Sequence, residues 1–100
     1  MDRLSPEVLA FALAMERKLR VNDDKKGVRG WKHCTAPYLL SRAQNEMKEI
    51  AAARKACFEN NTPATRRALV GKCADVANFC MMLADTAGDL MAPMENDDAL

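Results

Sequence analysis

Glu46 and Glu49 stand three apart in Gln44-Asn45-Glu46-Met47-Lys48-Glu49-Ile50, and Asp75 and Asn78 repeat the spacing in Lys72-Cys73-Ala74-Asp75-Val76-Ala77-Asn78-Phe79. On a helix, residues three apart lie one turn apart on the same face. The face of Glu46 and Glu49 also carries Leu39, Ala43 and Ile50, and that of Asp75 and Asn78 continues through Phe79 and Met82. The carboxylates therefore point along apolar stripes toward an interior. Three acids converging between two helices repel one another and are tolerated with a cation between them or with raised pKa values. An all-oxygen cluster of this kind suits Mg²⁺ or Mn²⁺. The pattern asks for two helices packed face to face, with Glu46, Glu49 and Asp75 as candidate catalytic and metal-ligating residues.

The rest of the composition agrees with helices. Ala, Leu and Met are plentiful, whereas Val, Ile, Gly and aromatic residues are few, a balance that favours helix over sheet. One hundred residues make one domain with a modest core, so oligomerisation is expected. The net charge of +1 is unevenly spread: residues 16–32 hold seven basic residues against three acids, and residues 83–100 hold five acids with no Lys or Arg. A basic segment beside a carboxylate site can recruit phosphate, and the same segment reads equally well as a solvated loop. No recognition-helix motif accompanies it, so nucleic acid is not an expected partner. Cys34, Cys57, Cys73 and Cys80 fit no zinc spacing, and Cys73 and Cys80 read as small core residues. His33 reads as structural or exposed rather than as a metal ligand. With neither a signal peptide nor a membrane-spanning run in view, the expectation is a reduced, cytoplasmic protein that does not bind membranes.

Ser5-Pro6-Glu7 is a helix start, with Ser5 as cap, and predicts a first helix to about Val21 through Val8, Phe11, Ala12, Met15 and Leu19. Asn22 to Cys34, punctuated by Gly27 and Gly30, predicts an ordered loop whose Trp31 either plugs the bundle end or sits against a nucleobase. Thr35-Ala36-Pro37 opens a second helix to about Phe58. Glu59-Asn60-Asn61 is a turn, and Thr62 or Asn61 caps a short helix near 63–70. Gly71 costs roughly 1 kcal/mol relative to Ala inside a helix, so a break or close packing is expected there. A last helix is expected over 72–87, with Val76, Phe79, Cys80, Leu83 and Ala87 inward and Gly88 as its stop. The domain then spans 1–90, and residues 91–100 form an acidic tail.

These residues resemble the MazG-like, all-α nucleoside triphosphate pyrophosphohydrolases, in particular small phage and bacterial members. The family pattern is Glu-Glu-x-x-Glu followed by Glu-x-x-Asp. Asn45-Glu46-Met47-Lys48-Glu49 matches the first part and Lys72-Cys73-Ala74-Asp75 the second, and the run from Asp75 to Asp85 resembles the ending of that subgroup. Met15 to Leu19, continuing through Asn22, Lys25, Gly30 and Trp31, resembles its substrate loop. The resemblance covers about residues 8–87. It implies a helical bundle completed by dimerisation or tetramerisation, a cytoplasmic setting (the host's, if phage-encoded), and Mg²⁺ or Mn²⁺ held by Glu46, Glu49 and Asp75. It implies a nucleoside triphosphate, NTP or dNTP, cut to monophosphate and pyrophosphate. Lys18 and Lys25 are then expected to hold outer phosphates as point charges, and Asn22 and Asn78 to orient phosphate, sugar or base, with Trp31 in the substrate loop.

Asn45 stands where the family often has Glu, and Lys72 stands where it has the first acid of Glu-x-x-Asp. The second departure exchanges a ligand for a cation on the face of Asp75 that can reach Glu46 or Glu49 across the helix pair and is itself a candidate substrate-binding residue, so weak metal binding is expected. Mg²⁺ keeps waters and needs few protein ligands, so Glu46, Glu49 and Asp75 can still suffice. Three readings follow: an active metal-dependent hydrolase, a catalytically weakened relative that binds or sequesters a nucleotide, and a structural helical module whose acids pair with Lys48, Lys72 and the arginines.

Overall fold

The computed structural model describes residues 3–88, Leu90 and Met91, without the side chains of 24–26. It is all-helical: α1 (Pro6–Lys26), a 3-10 turn (Gly30–His33), α2 (Ala36–Glu59) and α3 (Pro63–Thr86). No strand occurs among the described residues, and no helix is long and apolar enough to cross a membrane.

Local chemistry sets most boundaries. The Thr35 side chain accepts from the Tyr38 N–H at 3.3 Å, with Pro37 in the first turn of α2. Thr62 and Thr65 cap α3 reciprocally, and Pro63 stands where no intrahelical N–H is needed. Ser5, in contrast, makes no side-chain cap bond. α1 runs one turn beyond Val21, to Lys26, and takes in residues expected in the loop. Asn22, Asp23, Asp24, Lys25 and Lys26 carry no breaker, and Gly27 is the first residue to leave the helix, at φ 83°. The remaining loop is itself ordered. The Arg29 N–H donates to the Asp23 carboxylate at 3.2 Å, and Arg29 adopts a left-handed conformation that starts the 3-10 turn.

The expected pair of helices around Gly71 is one continuous α3. Gly71 is a notch rather than a break. A Cβ there would lie 3.2 Å from the Lys18 side chain, so the missing side chain is where the lysine stem of α1 crosses α3.

α2 and α3 form an antiparallel pair joined by the turn at 60–62. The Glu49–Lys72 and Arg42–Phe79 contacts fix its register. The core lies along this pair: Leu39 and Ala43 from α2 with Ala74, Val76 and Met82 from α3. Two residues expected inward are not: Cys80 and Ala87 are exposed. Ala87 is the cap residue just past the end of α3, and Cys80 lies one turn beyond the buried Val76, where cover gives out. α1 packs on α3 and has at most marginal contact with α2. Its Val8, Leu9 and Leu13 are half exposed as a result. The acidic segment expected as a tail falls outside the described residues after Met91.

Asn78 fastens α1 to this pair. It is 3% exposed, and its Nδ2 donates to the Met15 carbonyl at 3.0 Å. Asn78→Ala is expected to cost about 1–3 kcal/mol in denaturant unfolding, the usual effect of removing a buried hydrogen-bonding group. A loss below about 0.5 kcal/mol, the level of neutral surface changes, would show that the bond does not hold α1.

Candidate functional site

The facing sides of α2 and α3 bring the acids near one another, but each has a basic neighbour. Glu46 accepts from the Arg42 guanidinium at 3.0 Å, one turn back on α2. Glu49, half exposed, accepts from Lys72 Nζ at 3.2 Å. Asp75 lies 3.6 Å from Lys18 Nζ, which arrives from α1 over the Gly71 notch. Lys72 is attracted by all three carboxylates, Glu49 most strongly, and its ammonium is held above its ordinary pKa by that hydrogen bond.

Glu46 and Glu49 also interact directly. The Glu49 hydrogen bond, helped by burial, raises the Glu46 pKa above its ordinary value. The same hydrogen bond, followed by Lys72, lowers that of Glu49. This is a carboxyl pair that favours one proton or one cation between its members. Among the described residues, no group of three or more His, Cys, Asp or Glu side chains is gathered as a metal cage. Two neighbouring carboxylates remain a donor set that Mg²⁺ uses together with waters and substrate phosphates. In this arrangement the Lys72 ammonium holds the cationic position.

Beside Glu46 opens a cavity of about 190 Å³, walled by Trp31, Tyr38 and Phe79, with Asn22, Asp23 and Arg42 as polar edges. Arg42 links the two features: it pairs with Glu46 and stacks on Phe79, 5.6 Å from the ring centroid. The cavity exists because the 3-10 turn swings Trp31 against α2 and α3. Lys32 pins that turn with a 2.7 Å ion pair to Asp85 and lies 5.1 Å from the Trp31 centroid.

Of the residues singled out from sequence, Asn22 and Trp31 line the cavity, and Glu46, Glu49, Lys72, Asp75 and Lys18 form the charged cluster. Asn78 sits inside the bundle rather than on the cavity wall. The side chain of Lys25 lies outside the described residues. Sequence reasoning missed Arg42, Tyr38 and Asp23. Arg42 was within reach, since it stands four before Glu46 on the same helix face. The Lys32–Asp85 pairing, 53 residues apart, left no local trace.

Lys32, then the Leu90 N–H, holds the Asp85 carboxyl below its ordinary 3.8. A carboxylate whose pKa is lower when folded stabilises the fold above its unfolded pKa, and that stabilisation is lost as pH falls through the folded value. Trp31 fluorescence should therefore report a loosening of the turn below about pH 4, absent in Asp85→Asn, whose turn is already loosened at pH 7. Identical acid profiles for the two proteins would remove the pin.

No known family model matches the chain, and no curated protein or solved structure matches it either.

Proposed function

We propose that the chain is a MazG-like nucleoside triphosphate pyrophosphohydrolase, acting on an NTP or dNTP. The supporting observation is the adjacency of an aromatic cavity and a carboxylate cluster joined by Arg42, which pairs with Glu46 and stacks on Phe79. In this reading the base enters between Trp31, Tyr38 and Phe79, with Asn22 and Asp23 at its edges. The triphosphate then extends along the α2–α3 seam past Arg42. Lys72 and Lys18 attract its outer phosphates, and Glu46 and Glu49 face the scissile region. Mg²⁺ or Mn²⁺, when bound by that pair, would neutralise phosphate charge and lower the pKa of the attacking water. Glu46, the member whose proton is held more tightly, is the better placed to take a proton from that water. Glu49 stays ionised beside Lys72.

A second reading, nucleotide binding without turnover, is favoured by the 3.2 Å Lys72–Glu49 contact, which supplies internally the charge a metal would bring. Pyrophosphate release, measured with and without Mg²⁺ across NTPs and dNTPs, separates the two. Metal-dependent release supports the first, binding without release supports the second, and neither leaves the cluster a set of structural ion pairs.

A homo-oligomer belongs to the same proposal. The radius of gyration is 15.1 Å, against about 13 Å for a compact domain of this length. The half-exposed Val8, Leu9 and Leu13 of α1 offer apolar surface to a second copy. Sedimentation at micromolar concentration should give a dimer or tetramer, and Leu9→Glu should shift it toward monomer. A monomer in the unaltered protein would remove this part.

A further inference from the structure

On the opposite side of α3 from the carboxylate pair, α1 and α3 diverge around an open groove of about 620 Å³. Its floor is apolar, from Ala14, Val21, Pro63 and Val70, with the Gly71 notch adding depth. Its rim carries Arg17, Lys18, Arg66 and Arg67, and among the described residues no carboxylate lines it.

What sets the rim apart is that its four cations are gathered on one apolar concavity. Elsewhere some basic side chains pair with acids, such as Arg42 with Glu46 and Lys72 with Glu49, and others, such as Lys48 and Arg54, stand singly on the surface. On the rim, Lys18 reaches out of the groove to Asp75, and Arg66 is held by the Asn61 side-chain oxygen. Arg17 and Arg67 have no ion pair or hydrogen bond among the described residues. Two exposed valines, Val21 and Val70, lie between them. A ligand that fits must therefore bring apolar groups to the floor and negative charge to both edges.

We infer that this groove docks an acidic amphipathic helix of a partner protein. A helix laid between two helices with its apolar face down is an established way for proteins to recognise helical segments. A helical cylinder about 10 Å wide occupies roughly 400 Å³ per turn, so the groove holds one face of a short helix with two or three apolar anchors. Glu or Asp flanking those anchors would meet Arg17 on one wall and Arg67 on the other, with Lys18 and Arg66 beside them already engaged by Asp75 and Asn61. The α1 and α2 faces of a second copy are a poor match: the apolar half of α1 offers only Glu7, and the outer face of α2 carries Lys48, Arg54 and Lys55, with Glu59 already paired to Lys55. A free phosphate would leave the apolar floor uncovered, and a flat lipid surface cannot enter a concavity between two helices.

The test uses the full chain and a labelled synthetic helix with Leu at i, i+3, i+4 and i+7 and Glu on both flanks, followed by fluorescence anisotropy. Saturable binding is expected, weakening with salt and falling by roughly tenfold or more in Arg17→Glu/Arg67→Glu. Arg17→Gln/Arg67→Gln, with circular dichroism unchanged, should fall by less and guards against misfolding of the first variant. Arg67→Glu alone, which lies outside the segment assigned to the substrate loop, should weaken peptide binding while pyrophosphate release or nucleotide binding persists, so failure here is distinguishable from failure of the proposed activity. The inference is overturned if the variants bind as tightly as the unaltered chain. It is equally overturned if a scrambled acidic peptide without an apolar face binds as well, or if single-stranded RNA or anionic vesicles are preferred.

Discussion

Glu49→Gln should abolish metal-dependent pyrophosphate release, and Lys72→Glu should raise it. Both expectations come from one contact, the 3.2 Å bond from Lys72 to Glu49. An ammonium among three carboxylates is a built-in competitor for a divalent ion. At about 4 Å and an effective dielectric near 20, a +1/+2 pair is repulsive by roughly 8 kcal/mol. A lysine on the surface can swing away, so the realised penalty is far smaller. Removing it, and adding a carboxylate in its place, should still tighten Mg²⁺ by about tenfold or more, at 1.4 kcal/mol per tenfold. Titrating Mg²⁺ while following pyrophosphate in the three proteins reads both effects. If both substitutions leave metal affinity and turnover unchanged, the acids are ordinary ion pairs and the catalytic reading falls.

Glu46 has the opposite stability signature from Glu49, and this gives a second handle on the same cluster. Its pKa is raised, first by the hydrogen bond with Glu49 and then by burial. A carboxyl raised in the folded state favours folding while protonated, and that advantage is lost as pH rises through the folded value. At pH 7 its ionised form is thus the strained partner of the pair, despite Arg42. Glu46→Gln should leave the melting temperature at pH 7 unchanged or higher while removing turnover, a pattern expected where function holds like charges together. A clear loss of stability together with retained turnover would make Glu46 a structural anchor of Arg42 instead.

The helices were legible because their punctuation is chemical and local. Thr35 with Pro37, and Thr62 with Pro63, place two starts within a residue of where they form. What was not legible is what depends on tertiary contact. Gly71 left a break or close packing open, and the structure realises the second: the Lys18 stem crosses there while α3 runs on, but which side chain would cross was not readable from local sequence. The inward placement of Cys80 failed for a related reason: helical spacing defines a face, but which face is covered depends on where α1 lands. The acids at 46, 49 and 75 were identifiable by spacing, whereas their basic partners came from three different distances in sequence. Arg42 is four residues from Glu46, Lys72 is 23 from Glu49, and Lys18 reaches Asp75 from another helix. Only the first of these has a sequence rule behind it. The aromatic cavity depends on a 3-10 turn pinned by Lys32 and Asp85, a pairing that no periodicity encodes.

Leu39→Ala should be the most destabilising single truncation in the chain. Leu39 is 1% exposed and is the largest fully buried side chain among the described residues. It packs in the α2–α3 seam and also lines the aromatic cavity, so the void left behind opens into existing space rather than being filled by collapse. Leu-to-Ala changes at such positions cost about 2–5 kcal/mol. A domain of this length has on the order of 5–15 kcal/mol in total. The loss should lower the melting temperature by on the order of 10–30 °C and shift the urea midpoint with little change in slope. Leu9→Ala, on the half-exposed face of α1, is the contrast. It should cost about 0.5 kcal/mol or less in the isolated subunit, its effect appearing instead as weaker self-association at low protein concentration. If Leu9→Ala proves the more damaging at concentrations where the protein is monomeric, α1 rather than the α2–α3 pair carries the core. The carboxylate cluster would then rest on a seam too weak to hold its acids in register.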